Sequence, residues 1–360
     1  MNSSIDEITF DTDGICCFCT AFLAKATKDV QPDVVIQRDA LASLIQDIRQ
    51  RGRRQRYDCV IGVSGGVDSS WVLVQAVQQG LRPLAVHMDN GWNSELAQNN
   101  IANLVRNLGV DLHTHVINWH EYRGLMQAFF DADVIDVELL YDNAMFAVNY
   151  RQAAKHGVHY ILGGMNHATE GMPLPSGWNW AKFDKRNIKA ISRRFGGPNL
   201  RTFPSIGLCD RIWFEYVRQI RWIAYLDYLQ FKQNDAVQVL QMEFGYKPYP
   251  YKHYESIFTR FYQGYLLPRK FRVDKRLVHL STLVLSGEIT RDAALEMLAQ
   301  IPFPSISEME TDRLYFLKKM GWTDQQLNEY LNRPSKSHGI YGSSYTLIKQ
   351  VRRLLRRLKK

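Results

Sequence analysis

Residues 57–71 read Tyr-Asp-Cys-Val-Ile-Gly-Val-Ser-Gly-Gly-Val-Asp-Ser-Ser-Trp. The apolar residues Val60, Ile61 and Val63 predict a strand that enters Ser64-Gly65-Gly66-Val67-Asp68-Ser69, and a helical pattern follows. Two glycines can adopt positive φ and leave no side chain over the loop. Backbone N–H groups there, and at the start of the next helix, can converge on an anion. Ser64, Ser69 and Ser70 add hydroxyl donors, so the segment suits a phosphate group. The plainer reading is a Gly-Ser turn that caps a helix. Walker A is excluded because the loop has no Lys, and Gly-x-Gly-x-x-Gly is absent too.

Ser-Gly-Gly-x-Asp-Ser resembles the PP-loop of the N-type ATP pyrophosphatases. The resemblance implies a loop that grips the pyrophosphate of ATP and a substrate activated by adenylation. Asp68 lies inside that motif and is expected to act in catalysis as well as in ATP binding.

The elements around the loop must place it. Strand 57–63 is followed by a helix near 68–79, a strand over Leu84–Met88, a helix near 94–108 and an alternating strand over His113–Ile117. Helices near 120–132 and 139–156 precede a short strand, Tyr160–Leu162. Strand and helix alternating with short glycine-bearing connections predict a doubly wound parallel α/β sheet. Ligands on such sheets bind beyond the C-terminal ends of the strands. Three polar loops fall there: 64–70, 89–92 and 163–170. Together they predict one nucleotide site.

In the superfamily the end of the second strand lines the adenosine pocket, so His87, Met88 and Asp89 are expected near the base or ribose. Ordinary turn chemistry is the alternative for Asp89-Asn90-Gly91. Gly163 and Gly164 allow close approach of a ligand to the backbone, and Asn166, His167, Thr169 and Glu170 add polar groups to that rim. Glu170 is a candidate to hold Mg²⁺ for ATP chemistry, unless the segment is only a capped helix start.

Beyond residue 171 the character changes. Residues 171–210 are rich in Gly, Pro, Trp and Asn, residues 211–245 read as helical and aromatic, and residues 290–332 as short helices. Residues 246–281 are dense in Tyr, Lys, His and Arg. Their cations, Lys275 among them, could clamp a diphosphate or stabilise charge in a transition state. His253 and Glu255 could move protons. A solvated basic face is the alternative. The expected organisation is a Cys-containing module over 1–33, an α/β core over 34–210, a mostly helical substrate or partner region over 211–342 and a basic tail over 343–360.

The net charge of +9 is concentrated in that tail, where residues 349–360 carry seven Lys/Arg and no acid. The rest has 38 basic against 36 acidic residues. The tail is therefore the sticky element, and Leu347, Val351, Leu354, Leu355 and Leu358 fall on one helical stripe. Such a helix suits an anionic membrane surface, a partner, or packing on its own domain. No apolar run reaches membrane-spanning length and the N-terminus lacks a signal-peptide pattern, so a cytoplasmic enzyme is expected. Five Cys in such a chain argue against a disulfide framework. Cys16 and Cys19 are spaced as half of a zinc site, with a redox pair or buried thiols as alternatives. Cys59, inside a strand, reads as a small buried hydrophobe.

The resemblance extends further. Phe10-Asp-Thr-Asp-Gly14-Ile-Cys16-Cys-Phe-Cys19, the run YDCVIGVSGGVDSS…GLRPLAVHMDNGWNSELAQNNI, GGMNHATEG, KHYESIFTRFYQGYLLPRKFRVDKR and HLSTLVLSGEITRDAAL resemble the N-acetyl sugar amidotransferases of lipopolysaccharide and flagellin-glycan synthesis, the WbpG and PseA type. That family is understood to convert an acetamido group on a nucleotide-linked sugar into an acetamidino group. The implied chemistry is adenylation of the amide oxygen by ATP, then displacement of AMP by ammonia. Asn2 follows Met1, and no Gly-x-Cys-x-Gly surrounds a Cys, so ammonia is expected from separate subunits. In the family these resemble the glutaminase and synthase pair of histidine biosynthesis. A PP-loop tRNA-modifying enzyme, thiolase-like, is the competing reading. It needs a relay Cys pair and a basic RNA face; a nearly neutral body and the lack of Cys near the ATP loops, apart from Cys59 in its strand, count against it, and only the basic tail favours it.

Overall fold

The computed structural model describes residues 1–3, 5–29, 34–250 and 254–345. Five strands form one wholly parallel sheet in the order β3-β2-β1-β4-β5: β1 (Cys59–Gly62), β2 (Pro83–Asp89), β3 (Asp111–Val116), β4 (Tyr160–Gly163) and β5 (Arg221–Ala224). Order reverses between β1 and β4, which opens a crevice at the strand C-termini.

β1 shows why both faces must be covered. Val60 packs with Leu84, Val86 and Met88 in one core, whereas Cys59, Ile61 and Val63 face another. The period-two alternation puts apolar side chains on both sides, so helices must lie on both. On the first face lie α5 (Trp119–Asp131) and α6 (Leu139–Lys155), with an aromatic cluster. On the second lie α2 (Val34–Gly52), α3 (Val67–Gln78), α4 (Glu95–Leu108) and α10 (Gln233–Phe244). Cys59 is fully buried among them, and burial pushes its thiol far up.

The helical C-terminal region comprises α11 (Ile257–Phe261), a π-helical run Tyr262–Phe271, α12 (Arg276–Leu285), α13 (Arg291–Ala299), α14 (Ile306–Met320) and α15 (Asp324–Asn332). Phe258, Phe261, Phe316 and Tyr330 carry it into the first core. α1 (Cys17–Asp29) packs Phe18 and Phe22 against Met172 and Val278. Two short helices complete the frame, α7 (His167–Glu170) and α8 (Lys185–Arg194); a third, α9 (Leu208–Ile212), continues as the π-helical Trp213–Val217.

β5 departs from expectation. It lies inside 211–245, which reads as helical, so the sheet continues beyond residue 210. Only Ile223 of its four residues is buried, leaving no alternation to detect. Among the described residues, no helix is long and apolar enough to cross a membrane.

One buried histidine couples the fold to pH. His338 Nδ1 lies 2.7 Å from Asn187 Oδ1, and the Asp136 N–H donates to Nε2 at 3.4 Å. That pairing selects the neutral Nδ1–H form. The ring stacks on Trp180 at 5.1 Å, and burial lowers its pKa to about 4. The unfolded chain therefore binds the proton that the folded chain refuses, and stability falls as pH drops from the ordinary histidine value toward 4. The expected loss through this group is about 2 kcal/mol between roughly pH 7.5 and pH 5. Urea unfolding at the two pH values measures it. His338→Gln should flatten the difference by that amount, and an unchanged slope refutes the assignment.

Candidate active site

The loop after β1 is built as an anion cradle. Gly65 has φ +85°, and a Cβ there would lie 2.7 Å from the Ala97 carbonyl oxygen, so only glycine fits. Gly66 forms the N-cap of α3 with no side-chain cap. The helix thus presents its first N–H groups and positive dipole end to the loop. Ser64 and Ser69 hydroxyls lie 3.2 Å apart; the Gly66 N–H donates to Ser64 Oγ and the Ser64 N–H to Ser69 Oγ, each at 3.2 Å. They fix the loop curvature. Ser70 is buried within α3.

The third loop abuts the first. A Cβ on Gly164 would lie 3.0 Å from the Asp68 carbonyl carbon and the Ser69 nitrogen. Asn166 caps α7, accepting from the Thr169 N–H at 2.8 Å, and Thr169 Oγ1 donates to Asp68 Oδ2 at 3.4 Å. Gly163 is buried under the Trp222 indole. Glu170 is exposed at the end of α7.

The second loop is placed differently from a simple pocket wall. His87 is buried with both nitrogens engaged, Nδ1 at 2.9 Å from the Val63 carbonyl and Nε2 at 3.0 Å from Asn93 Nδ2. It ties β1 to the loop after β2. Met88 packs in the first core. Asp89, half-buried, accepts from the Gly91 N–H at 2.8 Å and from Asn93 Nδ2 at 3.4 Å.

Glu255 comes to the cradle from a distant part of the chain. The Ser94 N–H donates to the Glu255 carbonyl, and the Ile257 N–H to the Trp92 carbonyl, each at 2.9 Å, in an antiparallel bridge. The Glu255 carboxylate then lies 3.6 Å from where a Gly66 Cβ would be. Burial, reinforced by Asp142, Glu255 and Asp89, raises the Tyr141 phenol far above its ordinary range. Lys275 pairs with Glu138 at 2.7 Å. Beside it Lys182 bridges Asp136 and Asp142, each at 2.8 Å. Burial opposes the Lys182 charge, but the two carboxylates hold it above the usual lysine range. His253 lies outside the described residues.

The tyrosines of 246–249 carry a signal that composition blurs. Tyr249 donates to the Gly65 carbonyl at 3.0 Å. The buried Tyr246 hydroxyl has no hydrogen-bond partner among the described residues, within the field of Glu255 and Asp68. A buried orphan hydroxyl next to an uncapped helix start suits a polar ligand. The donor set fits a nucleotide triphosphate: backbone N–H groups, Ser64 and Ser69 for phosphate, with the Asp68 and Glu255 carboxylates beside them.

Cys16 and Cys19 do come together, with sulfurs 3.2 Å apart. Burial and the neighbouring Cys16 raise the Cys19 thiol to about 11, which keeps it protonated. Among the described residues no group of three or more His, Cys, Asp or Glu could hold a metal, so these two donors fall short of a structural zinc set.

Residues 38–172 match the NAD synthase family, and residues 255–354 match the C-terminal domain of LPS biosynthesis protein WbpG-like proteins. No curated protein matches the chain significantly. Among solved structures, the NMN synthetase of Francisella tularensis aligns at 14% identity and a TM-score of 0.31, over 61% of this chain and 98% of that one. The NH3-dependent NAD synthetase of Campylobacter jejuni, in complex with the nitrate ion, aligns at 13% and 0.31, over 75% and 98%. A predicted subunit of tRNA methyltransferase from Methanocaldococcus jannaschii aligns at 12% and 0.30, over 51% and 74%.

The two cradle glycines should separate folding from binding. Gly65→Ala meets both the positive φ and the Ala97 carbonyl, and should cost at least about 1–2 kcal/mol of stability. Gly66, at φ −78°, tolerates alanine conformationally, but its Cβ enters the space between Ser64 and Glu255. Gly66→Ala should keep the thermal midpoint and lose MgATP binding by calorimetry. Unchanged MgATP affinity in a folded Gly66→Ala would remove the cradle from this loop.

Proposed function

The chain is a WbpG-type member of the PP-loop ATP pyrophosphatase superfamily, and from that premise we propose that it replaces the acetamido oxygen of a nucleotide-linked N-acetyl sugar with nitrogen. It is an ATP-using amidotransferase or ligase of that superfamily. The sugar reading is supported chiefly by one observation. The segment matching the WbpG-like C-terminal domain starts at Glu255, the residue that the Ser94 bridge carries to the cradle.

The reaction has two displacements. The amide oxygen attacks the α-phosphorus of ATP; the bond from that phosphorus to the bridging oxygen breaks, and pyrophosphate leaves. Gly65, Gly66, Ser64 and Ser69 hold the pyrophosphate while its charge develops. Mg²⁺, when bound, would neutralise phosphate charge, and Asp68 and Glu255 are the residues that would hold it. Ammonia then attacks the imidate carbon, the carbon–oxygen bond to AMP breaks, and loss of a proton leaves an amidine. No protein nucleophile is required, so positioning and charge carry the rate. Ammonia is supplied by separate subunits resembling the glutaminase and synthase pair of histidine biosynthesis.

Purified protein incubated with ATP, ammonium and a UDP-linked diacetamido sugar should form AMP and pyrophosphate together, in step with loss of the amide. AMP formation that needs tRNA and ignores the sugar would replace this reading with tRNA modification. Glu255→Gln, at a half-buried position, should slow AMP formation by about 10²-fold with the fold intact. A rate within twofold of the parent would take Glu255 out of the chemistry.

A further inference from the structure

We propose that the face formed by α8 and the helix 208–217 docks this protein onto an anionic lipid surface. α8 exposes Arg186, Lys189, Arg193 and Arg194. The first three, at i, i+3 and i+7, form one row. The cations of that row line a groove whose other wall includes Leu208, Cys209 and Asp210. Asp210 is already paired with Lys185 at 3.0 Å, so the groove has no spare acid.

The other wall continues as an apolar stripe. Ile212, Trp213, Tyr216 and Val217 are exposed, Tyr216 at 76% and Val217 at 66%, while Phe214 between them is buried against Tyr150. These residues follow Cys209 at helical spacing, so the stripe runs on from the groove wall. The Arg218 guanidinium stacks over Trp213 at 5.6 Å, leaving a cation at the edge of the apolar surface. A cationic row beside exposed Trp, Tyr and aliphatic side chains matches an interfacial element, with rings at headgroup depth and charges on anionic phosphates.

The chain itself points to the same occupant. Ser344, which lines this groove, donates from its N–H to Asp184 at 3.1 Å. Residues 346–360 lie outside the described residues and hold seven Lys/Arg and no acid. That composition supplies no carboxylate to neutralise the groove cations. Membrane attachment generally needs two signals, and this face carries two, the exposed apolar stripe and the α8 row of cations.

The test is flotation of the full chain with vesicles. Vesicles of phosphatidylcholine with about 30% phosphatidylglycerol should carry the protein, and pure phosphatidylcholine should not. Neutralising three cations, in R186Q/K189Q/R193Q, should weaken binding by about 100-fold, at about 1 kcal/mol per cation. Brominated lipid should quench tryptophan emission, and Trp213→Phe should lose that quenching while still binding. Deletion of 346–360 should weaken binding but keep the quenching at Trp213. Failure to float with anionic vesicles overturns the proposal. So does binding that survives R186Q/K189Q/R193Q, or capture by soluble heparin with no quenching by brominated lipid. Thermal unfolding of each variant confirms that these exposed substitutions leave the fold intact.

Discussion

Two backbone hydrogen bonds join the helical C-terminal region to the C-terminal edge of the sheet: Ser94 N–H to Glu255 C=O, and Ile257 N–H to Trp92 C=O. They act on a loop that already has its own anchors. Trp92 is fully buried among Trp119, Phe258, Tyr315 and Phe316, and Lys319 from α14 reaches across to the Gly91 carbonyl with its ammonium over Trp119 at 4.2 Å. Gly91 has φ +77°, and a Cβ there would sit 3.2 Å from that ammonium. The loop after β2 is therefore gripped from two sides by the region that begins at Glu255. Everything the candidate site gains from that region, Glu255 above all, depends on this clip. The site is assembled across the two segments that match separate families, 38–172 and 255–354.

Charge does the equivalent work deeper in the molecule. The start of α6 and the turn before it present Asp136, Glu138 and Asp142, and each is matched by a cation from elsewhere: Lys182 from the irregular 171–184 segment and Lys275 from the turn before α12. Further out, Lys270 is wholly buried and pairs with Asp133 at 3.0 Å, and Arg333 meets the same carboxylate at 2.9 Å. Desolvation offsets much of the Coulomb gain in such pairs, so they are poor evidence of net stability. Their value lies in the penalty for a wrong arrangement. If Lys182 or Lys275 were displaced, a buried carboxylate would be left uncompensated, and that discourages alternative packings of 171–184 over the sheet.

Much of this was legible in the sequence, because strand ends and glycines have local causes. β1, β2 and β4 announce themselves through apolar runs, and Gly65 and Gly164 sit where a side chain would strike backbone. The parts that were not legible depend on long-range pairing. β5 is four residues long and only Ile223 is buried, so no periodic pattern marks it. His87 looks like a ligand residue in sequence, but its contacts are Val63 and Asn93, and only the fold brings Val63 beside it. Lys275 reads as a phosphate clamp, and its partner Glu138, more than a hundred residues upstream, is visible only in the fold. Glu255 was singled out by the company of nearby cations, whereas its placement comes from the Ser94 bridge. The roles of Tyr246 and Tyr249 were hidden by the density of tyrosines around them.

The third strand-end loop shows why a site framed within the first 170 residues uses the whole chain. α7 spans only His167–Glu170, far too short to persist on its own. It is held from four directions. The Phe22 ring of α1 stacks on His167 at 4.2 Å, the Asp227 carboxylate accepts from the His167 N–H at 2.7 Å, His279 Nδ1 lies 3.4 Å from the Thr169 carbonyl, and Ser286 donates to the Ala168 carbonyl at 2.6 Å. Thr169, so fixed, donates to Asp68 in the first loop. The contact that orients Asp68 is therefore supported by the Cys-containing N-terminal helix, by the turn after β5 and by α12. Each lies outside the part of the sequence that carries the phosphate-binding motif. Rigid elements hold a functional constellation more accurately than loops do, and here the loops borrow that rigidity from both ends of the chain.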